Sequence, residues 1–236
     1  MLRFAWIIFI SIHIIILTFI RLYRVQKEGY TEEDRYREAS RVATYIMKRG
    51  RIFTKVYGTE NLPDKGYIMY SNHQGRYDAM GIISGHRKPL SVLIDYERSK
   101  IILANSFVNA INGKRIKKND PKQQIKVLNE LAKEVIEGRR YLIFPEGKYG
   151  DNHNVLQEFA SGCFRCAIKA KCPIVPVCII DSWKPFGINS IKPVTTYVHF
   201  LKPIDYASYE GLRPTEIAEI VKNRIQEKIN EFVAEY

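Results

Sequence analysis

The chain reads as an α/β protein: a largely parallel central sheet flanked by helices, preceded by an apolar N-terminal helical segment. Three observations carry this. From residue 52 onward, short apolar runs alternate with stretches whose apolar residues recur every three to four positions. That is the pattern of strand–helix–strand units, whose crossover helices cover both faces of a sheet. Residues 141–144 are apolar at every position, as a strand buried on both faces requires. Residues 4–20 carry no charge.

That first segment would be ~25 Å long as a helix, just short of a typical hydrocarbon core. Ser11, His13 and Thr18 dilute it. Arg3 precedes it, while Arg21, Arg24 and Lys27 follow, a basic excess that predicts a cytoplasmic body. Three readings stay open: a short spanning anchor, a helix seated in one leaflet, or a buried core helix. Residues 1–28 are taken as a membrane anchor helix and 29–50 as an amphipathic helix. The latter opens on Thr31-Glu32-Glu33-Asp34, which resembles a capping box, and ends at Gly50. Tyr36, Ala39, Val42, Ala43, Ile46 and Met47 keep helical spacing, with Arg35, Arg37, Arg41, Lys48 and Arg49 between them. Core packing and membrane-surface docking both fit that pattern.

The body, 51–236, is one domain. Residues 52–57 alternate as a strand and 61–66 form a turn. Residues 68–71 begin as a second strand that breaks at Asn72, and a helix resumes near Ala79. Residues 90–94 read as a strand and 101–111 as an apolar helix. A basic run, 112–121, reads as a solvated loop or an anion cradle. Pro121 starts a helix through Glu137, with Ile125, Leu128, Leu131, Ala132, Val135 and Ile136 inward. The apolar strand 141–144 ends in Pro145-Glu146-Gly147-Lys148, a corner where backbone can approach a ligand beside a carboxylate and an ammonium. Residues 156–171 read as a helix with Phe159, Cys163, Phe164, Ala167 and Ile168 inward. Residues 174–180 form a strand in which Pro176 implies an edge, a bulge or a break. A strand at 195–200 and a closing helix at 215–232 complete the body.

Composition narrows the partners. The apolar content of 46% is ample for a core, and the net charge of +12 favours anionic ones. No zinc-finger spacing, aromatic RNA-binding strand or Arg-rich tail is present, so nucleic acid is excluded in favour of a membrane surface. Cys163-x2-Cys166 has no second pair to complete a metal site, so the four cysteines read as reduced packing thiols and no metal is expected.

The chemistry-bearing stretch is Asn72-His73-Gln74-Gly75-Arg76-Tyr77-Asp78. A folded turn could bring the Asp78 carboxylate to the His73 ring. A carboxylate on one ring nitrogen fixes the tautomer and leaves the other free to take a proton. The bland alternative is a turn histidine that caps the next helix.

Together, Asn72-His73-x4-Asp78, the basic run before Asp120-Pro121, Phe144-Pro145-Glu146-Gly147 and Val175-Pro176-Val177 resemble the 1-acylglycerol-3-phosphate acyltransferase family of membrane-associated glycerolipid acyltransferases. Four motifs in order make the resemblance specific over residues 50–205. It implies acyl transfer from acyl-CoA or acyl-carrier protein to a lysophospholipid hydroxyl, with lysophosphatidic acid as the first choice of acceptor. His73 would be the general base and Asp78 its orienter. Asn72, Arg115, Lys118, Glu146, Gly147 and Lys148 would surround the substrates, Lys118 standing nearest the family's phosphate-binding arginine, with Arg115 competing for that place. No cofactor is implied, and direct transfer in a ternary complex is expected over a covalent route. The chain departs from the family twice: Lys148-Tyr149 replaces a small hydroxyl residue followed by Arg, and Lys118 replaces an arginine. A lysine does not reproduce an arginine fork, so another lysophospholipid acceptor is an alternative. So are a hydrolase that uses His73 and Asp78 to activate water, and a lipid-binding protein without catalysis.

Overall fold

The computed structural model describes residues 2–235. Two helices come first, α1 (Leu2–Arg24) and α2 (Glu32–Arg49). The body follows as β1 (Ile52–Tyr57), β2 (Tyr67–Ser71), α3 (Asp78–Gly85), β3 (Ser91–Asp95), α4 (Ile102–Ala110), β4 (Lys114–Ile116) and α5 (Pro121–Ile136). It continues with β5 (Arg140–Ile143), α6 (Arg165–Ala170), β6 (Ile174–Ile180), α7 (Lys184–Gly187), β7 (Val194–Phe200) and α8 (Pro214–Glu235).

The strands form one sheet in the order β1-β7-β6-β2-β5-β3-β4. Every paired neighbour is parallel except β6 with β7. That pair is joined by a connection holding only the short α7, and an antiparallel return needs no full crossover helix. Successive residues of β2 point to opposite faces. Ile68 and Tyr70 pack with Leu131, Phe164, Ala167 and Ile225 beneath α5, α6 and α8. Tyr67 and Met69 pack with Tyr36, Ala39, Ile82 and Ile83 beneath α2 and α3. β2 lies between β5 and β6, and the chain leaves it through α3 toward β3 but reaches β6 from β5 through α6. The strand order reverses there, and the crevice at such a reversal is where open α/β sheets place ligands.

The N-terminal helices pack on the body. Thr31 caps α2 reciprocally with Asp34, and Tyr36, Ala39, Val42 and Ala43 are buried. The apolar stripe of α2 is therefore core, while Arg37, Arg41 and Lys48 are exposed on its outer side. α1 runs antiparallel to α2, with the Ser11 and Tyr45 hydroxyls 3.3 Å apart and Arg21 3.9 Å from Glu38. Leu22 and Val25 meet Val42 and Ala110 in a small third cluster.

Several elements differ from the sequence reading. The basic run 112–121 is no plain loop: Lys114–Ile116 pairs with β3 as an edge strand, and charges suit an edge exposed to water. The helix expected over 156–171 shrinks to a 3-10 turn, Ser161–Phe164, followed by α6. Residues before it are drawn out to the Pro-Glu-Gly corner, where Ala160 N donates to Pro145 O. Pro176 marks no edge or break; it sits in the interior strand β6. Its carbonyl accepts from Leu201 N, so its missing donor faces the same side, just past Phe200, the last residue of β7. On α5, Ile125 and Ile136 are exposed, and Val127, Leu131, Ala132 and Val135 form the buried stripe.

That stripe sets a stability contrast. Leu131→Ala empties a fully buried site and is expected to cost ~2–5 kcal/mol. Ile125→Ala, at an exposed position, should stay within ~0.5 kcal/mol of the parent protein. Urea unfolding of both variants checks this, and equal losses would refute the assigned helix face.

Candidate active site

The crevice is built from strand exits. β2 ends at Ser71, and Asn72 is buried with both amide atoms engaged: Nδ2 donates to Ile179 O at 2.9 Å and Oδ1 accepts from Ile179 N at 2.8 Å. The side chain thus ties the exits of β2 and β6 together and does not face the crevice. The chain then turns over Asp78, the first residue of α3. Asp78 Oδ2 accepts from Gln74 N at 2.6 Å and Gly75 N at 2.9 Å, and Oδ1 accepts from Ser182 Oγ at 2.7 Å. His73 Nδ1 lies 2.6 Å from Asp78 Oδ2. A carboxylate with these donors is an acceptor, so Nδ1 carries the proton and Nε2 presents a lone pair.

Asp78 is fully buried and the His73 side chain is 15% exposed. Phe144 stacks on the imidazole with ring centroids 4.3 Å apart, and the Tyr149 ring stands near-perpendicular to it at 4.6 Å. With one face covered and Nδ1 engaged, the edge bearing Nε2 is left to meet a reactant.

Glu146, at the exit of β5, closes the other side. Oε1 accepts from the His73 backbone N at 3.1 Å and Oε2 from Gln157 Nε2 at 2.6 Å. Burial pushes its carboxyl up to about 7, against the lowering effect of these two donors. Gly147 takes a positive φ of 67°, which glycine adopts without a Cβ penalty, and so turns the chain out of the strand.

The other candidates separate. Lys118 Nζ donates to Gly147 O at 2.7 Å and lies 3.9 Å from Asp95, so it stands at the Pro-Glu-Gly corner. Arg115 points elsewhere: its guanidinium donates to Ser99, Asn105 and Asn109, which holds β4 to α4. The Lys148 side chain is exposed, and its carbonyl accepts from Gln157. Sequence reasoning missed Ser182, Gln74, Gln157, Tyr149 and Arg98. Gln74 Oε1 accepts from Ser182 N, and Gln74 Nε2 donates to Asn154, so the turn is braced from two distant segments. Only the polar residues just past the strand ends hinted at them. Among the described residues no group of three His, Cys, Asp or Glu is placed to hold a metal ion.

The pattern of the acyltransferase family matches residues 53–180, a span that holds His73, Asp78 and the Glu146 corner. The chain belongs to the acyltransferase family. It is similar to the 1-acyl-sn-glycerol-3-phosphate acyltransferase alpha of Ovis aries, 28% identical over 162 residues, covering 66% of this chain and 54% of that protein. It is 29% identical over 186 residues to 1-acyl-sn-glycerol-3-phosphate acyltransferase of Saccharomyces cerevisiae, covering 75% and 60%. The chain thus spans little more than half the length of these relatives. In fold it is similar to the 1-acyl-sn-glycerophosphate acyltransferase PlsC from Thermotoga maritima, with a TM-score of 0.80. That likeness is 20% identical in sequence and covers 100% of this chain and 96% of the other.

The buried Glu146 of this member of the acyltransferase family gives a pH dependence with a definite sign. A carboxyl raised to about 7 binds its proton more tightly folded than unfolded, so the folded state loses stability as pH rises from about 4.5 toward 7. Glu146→Gln removes that titration. The variant should gain on the parent protein by more than about 1 kcal/mol between pH 5 and pH 8. Denaturant unfolding at both pH values measures the gap, and a constant gap would refute the raised carboxyl.

Proposed function

We propose that this chain is a 1-acylglycerol-3-phosphate acyltransferase that moves a fatty acyl group from acyl-CoA or acyl-carrier protein to the free hydroxyl of a lysophosphatidate. The observation that carries the reading is the pairing of the half-buried His73 with the buried Asp78 at the strand-order reversal, within hydrogen-bond reach of the Glu146 corner. His73 Nε2 takes the hydroxyl proton as the oxygen attacks the thioester carbonyl. The new C–O bond forms, the C–S bond breaks, and the thiolate leaves and is protonated. Asp78 keeps the ring oriented and stabilises the imidazolium that forms. The basic corner residue Lys118 favours an anionic acceptor, and no cofactor is invoked.

The membrane is the source of that acceptor. Phe9, Ile12, Ile16, Leu17 and Ile20 of α1 are exposed, while Arg3, Ile7, Ser11 and Leu22 are buried against the body. Arg3 donates to Pro185 O at 2.7 Å and to Lys192 O, which ties the start of the helix down. A helix held to α2 along its length cannot cross a bilayer without carrying α2's charges with it. This favours a helix seated in one leaflet, on the cytoplasmic side given Arg21, Arg24 and Lys27.

Purified protein with acyl-CoA and lysophosphatidate should release CoA only when the acceptor is present. His73→Ala should lower turnover by at least about 10²-fold. Release without acceptor would indicate a hydrolase. No release with either acyl-CoA or acyl-carrier-protein donor would indicate binding alone. For the membrane, Phe9→Glu combined with Ile16→Glu alters the outer face and leaves the packed side intact. This double variant should lose most of its sedimentation with anionic vesicles at unchanged circular dichroism. Undiminished sedimentation would locate membrane binding elsewhere in the chain.

A further inference from the structure

We propose that Arg98, a residue outside the four motifs, is the group that recognises the acceptor's phosphate, with Tyr149 as its platform. The proposal rests on the lysophosphatidate reading above and names the side chain that reads the headgroup.

Arg98 opens the 3-10 turn Arg98–Lys100, just beyond β3. β3 pairs in parallel with β5, so its exit lies on the same edge of the sheet as the Glu146 corner. The Arg98 backbone N donates to Asp95 Oδ1 at 3.0 Å, which fixes the start of the turn. The guanidinium carbon then lies 4.3 Å from the centroid of the Tyr149 ring. The same ring stands near-perpendicular to the His73 imidazole, at 4.6 Å between centroids and an interplanar angle of 79°. One phenol therefore touches both the guanidinium and the general base.

This arrangement leaves the cation free to bind. Stacking on an aromatic face uses the π surface of a guanidinium and leaves its N–H fork pointing outward. Nearby carboxylates are committed elsewhere: Glu97 pairs with Lys100, and Asp95 faces Lys118 while accepting from the Arg98 backbone. Among the described residues none pairs with the Arg98 guanidinium. Lys118 differs, since its ammonium already donates to Gly147 O. Of the two cations, Arg98 is the one able to grip two phosphate oxygens at once.

The substrate's geometry fits the spacing. In a lysophosphatidate the attacking hydroxyl and the phosphoester oxygen sit on adjacent carbons. A phosphate site must therefore lie a short, fixed step from His73 Nε2. A ring wedged between imidazole and guanidinium sets such a step. It also desolvates the guanidinium, which strengthens its pull on a phosphate.

The test uses the full chain in detergent micelles. The binding probe is 1-acyl-2-deoxyglycerol 3-phosphate, which keeps the phosphate but has no hydroxyl to acylate. Its neutral control lacks the phosphate. Arg98→Gln should weaken binding of the phosphate probe by about tenfold or more and leave the neutral control unchanged. Arg98→Lys should restore part of the loss, and Tyr149→Phe, which keeps the aromatic face, should bind as the parent does. In turnover, Arg98→Gln should raise KM for lysophosphatidate about tenfold with kcat retained within about threefold. Equal probe binding by Arg98→Gln and the parent protein overturns the proposal. Equal weakening toward the phosphate probe and its neutral control, in both Arg98→Gln and Arg98→Lys, also overturns it, because only the shape of the site would then have changed. A parent protein that binds the probe through Arg98 but never acylates lysophosphatidate refutes the transferase reading and leaves the phosphate site standing.

Discussion

A carboxylate sealed from water must be met by donors, and at this crevice the fold supplies them to Asp78. Two backbone amides of the turn, the Ser182 hydroxyl and the His73 ring all converge on it. Satisfying that one buried group shapes the turn after β2, aims the imidazole and couples the turn to the segment beyond β6. An unsatisfied carboxylate there would cost several kcal/mol, so the strand-exit geometry and the aim of the imidazole are the same requirement. Asn72 serves it as well, by locking β2 to β6 through both of its amide atoms.

The sheet's topology explains why these groups can meet. β2 sits between β5 and β6, and the exits of all three point to one edge. β5 brings Glu146, β6 leads to Ser182, and β2 carries His73. Glu146 closes the ring by accepting from the backbone of His73, and burial keeps its carboxyl near neutrality. Two aromatic rings pack against His73, Phe144 flat on the imidazole and Tyr149 near-perpendicular to it. Water is thereby held away from the covered sides of the ring.

The first helix follows another constraint. Its buried side is partly polar, with Arg3 and Ser11 meeting backbone carbonyls and a tyrosine hydroxyl, while its outer side is aliphatic and aromatic. In a water-soluble core helix those sides would be reversed. The inversion makes sense if the outer side has lipid as its solvent and the inner side is fastened by directional hydrogen bonds. The same helix shields Val42 and Ala110, so it is part of the folded unit as well as a surface.

Much of this was legible in the sequence. Strand and helix alternation gave the α/β class, Thr31 and Asp34 announced the start of α2, and the five-residue step from His73 to Asp78 placed the imidazole and its carboxylate partner within one turn. Local chemistry sufficed there because the interacting residues are near in sequence and their spacing is set by backbone geometry. Partners supplied by other strands were not legible: Ser182, Gln157 and Arg98 reach the site from segments far along the chain. Arg115 and Lys118 lie three residues apart in one basic run, yet one is spent on asparagines of α4 and the other stands at the corner. The edge strand Lys114–Ile116 holds Arg115 beside α4, and the turn that follows the strand carries Lys118 to the corner. Sequence by itself determined most of the elements and the His73–Asp78 pairing. Tertiary structure decided which charges face the crevice, because strand order and register, and not residue type, set the direction of each side chain.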